Sequence, residues 1–182
     1  EKYLGKTPAQ AAPRPVTTKE PEQQGERRVN LVREAEPPLL VFAHHSISGA
    51  DADAPGTELL MSILADGDSS RLHQELVEQQ QIVLDVGQSL NLGFDPGLSY
   101  LYVTLPPGGD TEKVEQALDA ELQKIATNGV SEAELNKART LKLADFWRGM
   151  ATISGKAQQL GSYEVFQGDY KKLFDAPAAY EK

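Results

Sequence analysis

From residue 27 onward the apolar positions follow either a two-residue or a three-to-four-residue period, and each change of period marks a new element. In "RRVNLVREAE" they alternate through Val29, Leu31 and Ala35, and "PPLLVFAHHSI" is a denser apolar run, which predicts two strands joined near Pro37 and Pro38. "DAPGTELLMSILADG" sets Leu59, Leu60, Ile63 and Leu64 at spacings of one and three and then reaches Gly67, the pattern of a buried helix with a stop signal. Ser69 or Ser70 can cap a second helix, "SRLHQELVEQQQ", with Leu72, Leu76 and Val77 facing inward. "IVLDVGQSLNLG" and "LSYLYVTLPPG" flank the turn-forming "FDPG" and read as an antiparallel strand pair.

Helices follow. Asp110 or Thr111 opens one whose stripe is Val114, Ala117, Leu118, Leu122 and Ile125 and whose end is Asn128-Gly129. Ser131 with Glu134 three residues later is a capping-box pattern, because each side chain can satisfy the other residue's exposed backbone N–H. The helical period runs on through "ATISGKAQQLGSYEVFQGDY", where Gly155 and Gly161 predict a break near Ile153 to Gly155. Strands in adjacent pairs followed by paired helices imply an α+β fold of two layers, an antiparallel sheet covered by helices on one face. A doubly wound nucleotide-binding sheet would need strict strand-helix alternation and a glycine-rich first turn, and neither is present.

Before residue 27 the pattern is lost. Residues 5–26 carry four of the eleven prolines and no apolar period, so residues 1–26 read as an extended arm or linker and 27–182 as one domain. The sequence starts without an initiator methionine or a basic-then-apolar leader, which reads as a piece of a longer protein. Its cellular location therefore stays open, a bacterial periplasm being one option if a signal peptide lies upstream.

Composition narrows the function classes. A formal charge of -9, from 27 acidic and 18 basic residues, argues against a nucleic-acid partner, which needs a concentrated basic face. No apolar run is long enough to span a bilayer. With no cysteine, disulfides, thiolate metal sites and a cysteine nucleophile are all excluded.

The candidate chemistry is sparse. His44 and His45 are neighbours on a strand, so they point to opposite faces and cannot share one metal ion, and one half-buried and one exposed histidine is the simpler reading. His73 lies two residues from Glu75, and positions two apart diverge on a helix, whereas zinc-binding helices place histidines four apart. Asp66 and Asp68 flank Gly67, but the other ligands of a calcium loop are missing. Ser69 and Ser70 have no base at nucleophile-elbow spacing, and "LPPGGD" is a turn without the lysine of a phosphate loop. Local patterns thus supply neither a catalytic residue nor a metal-ligand set.

The stretch "LLMSILADGDSSRLHQELVEQQQIVLDVGQSL" resembles the insulinase/pitrilysin family of zinc metallopeptidases, which includes the mitochondrial processing peptidase and many bacterial zinc proteases. The likeness continues through "VEQALDAELQKIATNGVSEAELNKART", with its G-V-S-x-x-E-L turn, and through "GKAQQLGSYEVFQGDY". In that family zinc is held by an inverted H-x-x-E-H in a homologous domain that precedes this type of domain. No H-x-x-E-H occurs here, so the resemblance implies the non-catalytic, "inactive" second domain, with no cofactor of its own and zinc in the preceding domain of the parent.

Family members also use an arginine, and a tyrosine seven residues later, to hold substrate backbone near the metal. The matching positions here are Val77 and Leu84, which can neither donate to a peptide carbonyl nor stabilise an oxyanion. The resemblance implies a wall of a substrate chamber, partnered by the homologous zinc-bearing domain of the same chain or of a partner subunit, around a peptide substrate. Two other readings stand beside it. One is a structural or assembly subunit that has lost proteolysis, and the other is a stand-alone binding module tethered by the arm.

Overall fold

The structure is a computed structural model that describes residues 5–8, 10–11, 14, 17–18, 21–34 and 37–180. The chain divides into two units, residues 1–34 and 35–182. Among its described residues the first unit has neither helix nor strand. The predicted strand over "RRVNLVREAE" is therefore not formed at 27–34, and Ala35 lies outside the described residues. Val29, Leu31 and Val32 are instead 81%, 76% and 86% exposed. Alternation fits a segment to a pleated surface, but a strand is stable only on a partner edge.

The second unit begins with β1 (Leu39–His45), α1 (Ala54–Ala65) and a π-helix at His73–Gln79. The strand pair β2 (Asp85–Leu90) and β3 (Leu98–Thr104) follows, then α2 (Thr111–Asn128), α3 (Glu132–Gly149) and α4 (Ile153–Gln167). A 3-10 turn, Tyr170–Phe174, and a one-turn helix α5, Ala176–Ala179, complete it. The sheet has the order β1-β3-β2 and is antiparallel throughout, with Leu40 opposite Val103 and Val86 opposite the same residue from the other side. The expected α+β fold with an antiparallel sheet under helices is what forms.

One face of the sheet carries the core. Val86, Leu101 and Val103 pack with Met61, Leu64 and Ala65 of α1, with Leu72 and Leu76, and with Val114 and Leu118 of α2, while Leu40 and Phe42 close the β1 side. The opposite side of α1 packs through Leu59 and Ile63 on Ala138 of α3. A helix buried on two sides needs apolar residues around most of its circumference, which explains the dense run "LLMSILA". Leu60 is the exception, 37% exposed although the spacing predicts it inward, because it points between these two contacts.

The caps follow the sequence closely. Asp110 accepts a hydrogen bond from the Lys113 N–H at 3.2 Å, Ser131 and Glu134 form the reciprocal box, and Gly129 at φ 70° ends α2. The helix break falls at residues 150–152, just ahead of the predicted position, and Thr152 caps α4 by accepting from the Gly155 N–H at 3.0 Å. Gly155 matters for a different reason than flexibility: a Cβ there would collide with the carbonyl oxygen of Gly149 at the end of α3. Gly161 sits inside α4 without interrupting it.

The second predicted helix is wound differently from expectation. After Arg71 and Leu72 it becomes a π-helix, ending with the Gln80 N–H on the Glu75 carbonyl at 2.9 Å, and Gln81 follows at φ 51°. Leu72 and Leu76 are nonetheless fully buried, since a spacing of four fits turns closed to either the fourth or the fifth preceding residue. Truncating Leu72 to Ala should cost about 2–5 kcal/mol, against less than about 0.5 kcal/mol for Val165→Ala on the outer side of α4. Urea unfolding midpoints of the two variants measure this, and equal small shifts would show that the core is not organised around Leu72.

Candidate functional site

The turn from α1 into the π-helix meets the α2–α3 turn at one carboxylate. Arg71 donates from Nε to Glu134 Oε1 at 2.5 Å and from Nη2 to Oε2 at 2.9 Å, and Nη2 also reaches the Gly129 carbonyl at 3.3 Å. The same Glu134 Oε2 accepts the Ser131 N–H at 2.8 Å to close the α3 capping box. The hydrogen bond from Arg71 is the main reason the Glu134 carboxyl is lowered from 4.5 to about 2, with Ser131 contributing and partial burial opposing. Arg71 is raised in turn by that bond.

Beside this pair Lys137 donates from Nζ to the Ser69 carbonyl at 2.9 Å and to its hydroxyl. Ser69 next to a lysine is the geometry of a nucleophile with a base, but the lysine is also bound to the Ser69 carbonyl and serves to hold the loop. The expected serine cap is not made by either hydroxyl. Ser69 Oγ is taken by Lys137, and the Ser70 carbonyl, not its buried hydroxyl, accepts the Gln74 N–H at 3.0 Å. A long-range lysine has displaced a local cap. An open groove of about 380 Å³ runs along this junction, lined by Arg71, Glu75, Glu121, Lys124 and Glu134 with Ser69, Gln74 and Gln79. Four of its five charges are paired, Arg71 with Glu134 and Lys124 with the buried Glu121, while Glu75 accepts from the Gln80 side-chain amide at 2.8 Å.

The histidines stay apart. The register sets His44 opposite Ser99 and His45 opposite Leu98, on opposite faces, but both are exposed where one was expected half-buried. They lie at the end of an edge strand, beyond Leu40 and Phe42, which the core covers. His73 is the half-buried one, with Nε2 3.8 Å from Asp68 Oδ1. Among the described residues no group of three or more His, Cys, Asp or Glu side chains is placed to hold a metal ion.

Val77 and Leu84 take different surroundings. Val77 lies within the π-helix, partly buried against the core. Leu84 precedes β2, donates its N–H to the Thr104 carbonyl at 2.7 Å, and is 54% exposed. Neither offers a polar side-chain atom.

The remaining candidate is the second face of the sheet. Leu39, Val41 and Ala43 lie there opposite Thr104, Tyr102 and Tyr100, and Gly87 and Ser89 continue the rows on β2. Leu39 and Val41 are 60% and 44% exposed, and the Tyr100 and Tyr102 rings stack at 6.0 Å between centroids. Gly87, opposite Tyr102, has open space where a side chain would stand. This surface can pack against a chain and offer it tyrosine hydroxyls, but it carries no acid-base pair. The period-two pattern hinted at it, since "LSYLYV" is apolar on both faces.

Comparison with known proteins agrees with this picture. The model of the family described as Peptidase M16 inactive domain matches residues 1–142. An uncharacterized zinc protease of Mycobacterium leprae is 28% identical over 115 residues, 63% of this chain and 26% of that protein. The chain thus spans about a quarter of the length of the curated relatives it matches. The inactive peptidase domain of a candidate zinc protease from Bordetella parapertussis has a TM-score of 0.71 at 28% identity, covering 84% of this chain and 80% of that one. A chain of complex III2 from Candida albicans shares the fold, with a TM-score of 0.65 at 15% identity over 79% of this chain and 36% of that chain.

The junction makes a pH-dependent prediction. Glu134 is lowered in the folded state, so its contribution is complete above its ordinary value near 4.5 and disappears as pH falls toward about 2. Arg71→Ala and Glu134→Gln should each cost about 1–3 kcal/mol at neutral pH. The gap between wild type and Glu134→Gln should close between pH 4.5 and 2, as followed by chemical unfolding across that range. A gap independent of pH would mean that the ion pair does not hold the junction.

Proposed function

Because this chain belongs to the family of peptidase M16 inactive domains, we propose that it is the non-catalytic wall of a peptide-hydrolysing chamber in a longer zinc protease. In this reading zinc would be held by a homologous companion domain, where it would supply an activated water for hydrolysis of a peptide enclosed between the two. The observation that carries the proposal is the one-sided sheet. Helices cover one face, while the other carries the exposed Leu39 and Val41 beside the partly buried, stacked Tyr100 and Tyr102. Such a surface suits the lining of a cavity and the exclusion of water more than the polarisation of a bond.

Val77 and Leu84 fit this role. An apolar pair in place of the family's arginine and tyrosine cannot bind substrate backbone directionally, so these positions contribute packing or closure. The same substitution favours a second reading, a structural subunit without proteolysis, since the fold also occurs in a chain of complex III2. An intact H-x-x-E-H in the companion domain supports the protease, and a degenerate one supports the structural subunit.

Two outcomes are expected. The 182-residue chain alone should unfold cooperatively, retain less than one zinc per chain after dialysis and hydrolyse no peptide above background. Hydrolysis by pure chain, abolished by a point substitution within it, would refute the non-catalytic role. In the full-length protein, Val77→Ala with Leu84→Ala should lower stability by about 1–3 kcal/mol while the single-turnover rate stays within about threefold. A large loss in the chemical step with folding unchanged would show that these positions act on the transition state.

A further inference from the structure

Residues 27–34 have the chemistry of a strand and no sheet. Their alternation puts Val29 and Leu31 on one side of an extended chain and Val32 on the other, a two-residue period that suits a pleated, half-buried surface. In the structure all three are more than three-quarters exposed, and the segment belongs to a unit with no strand among its described residues. Three exposed branched apolar side chains within four residues are costly unless something covers them.

A hairpin with β1 is the obvious alternative, and the sequence disfavours it. The Pro38 carbonyl already accepts the Leu105 N–H at 2.9 Å, so the ladder with β3 begins at Pro38 and only residues 35–37 remain for a reversal. Two consecutive prolines, Pro37 and Pro38, keep the residues before them out of the right-handed helical region that short hairpin loops need. The segment is thereby directed to another edge. It also carries Arg27, Arg28 and Arg33, of which Arg28 pairs with Glu26 at 2.8 Å, and no acid between Glu26 and Glu34, within a chain of formal charge -9.

We infer that residues 27–34 are a donor strand that adds to a free edge, flanked by acidic side chains, of the β-sheet in the companion domain. This rests on the reading above that such a domain exists in the longer protein. The curated relatives, about four times the length of this match, have chain to supply it, and covalent attachment raises its effective concentration above that of a second copy. Strand donation would fix the two domains in register through backbone hydrogen bonds, with Val29 and Leu31 completing the acceptor's core.

Hydrogen exchange tests this. The amides of 27–34 should exchange freely in the 182-residue chain and at least about 100-fold more slowly in the full-length protein. Leu31→Pro, which deletes a ladder N–H, should abolish that protection and lower the full-length Tm while leaving the Tm of the short chain unchanged, since the segment lies outside residues 35–182. Protection in the short chain as a monomer would assign the strand to its own sheet, and protection that grows with concentration would assign it to a second copy. Either result, or unprotected amides in the full-length protein, overturns the inference. None of these readings requires zinc or activity, so failure of the protease reading would be seen separately.

Discussion

The Arg71–Glu134 pair sets the α2–α3 turn against the start of the π-helical segment. One carboxylate does two jobs: it closes the box that starts α3 and it receives both prongs of a guanidinium from the start of the π-helix. A cap alone would fix only the start of α3, and an ion pair alone would tolerate rotation of either partner. Held from both directions, Glu134 sets the α2–α3 turn against the loop that leaves α1, and Lys137 on Ser69 repeats the link one helical turn along. Charge-assisted bidentate bonds are directional, so the pair adds an orientational constraint to the one set by apolar packing.

The residues that look most like chemistry are used in this way. Arginine, histidine, serine and carboxylates crowd the stretch from Asp66 to Glu78, yet their partners are a helix cap, a loop carbonyl and one another. The groove they line is polar, with both of its cations held in ion pairs and Glu75 left as an additional carboxylate. What faces outward is the other side of the sheet, where Leu39, Val41 and the stacked Tyr100 and Tyr102 lie among Ser89 and Thr104, with Asp85 and His45 toward opposite ends. The use of the ionisable groups between Asp66 and Glu78 in the domain's own architecture accords with its membership among peptidase M16 inactive domains.

Exposure is uneven across the rest of the second unit. Helix α4 buries no residue fully, and Trp147, Ile153 and Phe174 remain 62%, 88% and 65% exposed. Tyr180 packs beside Leu59, Ile63 and Ala138 and donates its hydroxyl to the Glu58 carboxylate, where burial and that carboxylate push the phenol up. Burial is densest around the sheet, α1 and α2, and the C-terminal segment is held by the buried Leu173 and Ala176 together with polar contacts such as that of Tyr180.

Local chemistry determined much of this protein from its sequence alone. Gly67 and Gly129 end helices because only glycine adopts their left-handed backbone without penalty, and Asp110 and Ser131 start them because their oxygens reach free N–H groups. The alternating "LSYLYVT" could be little other than a strand. Tertiary structure decided what depends on distant partners. Nothing near Glu134 in sequence announces Arg71, 63 residues away, and nothing near Ser69 announces the lysine that replaces its capping role. The spacing of Leu72 and Leu76 could not separate an α-turn from a π-turn, since both place the two leucines in the core. Residues 27–34 show the same limit from the other side: a pattern specifies which face of a strand is apolar, but only a neighbouring edge can make it a strand.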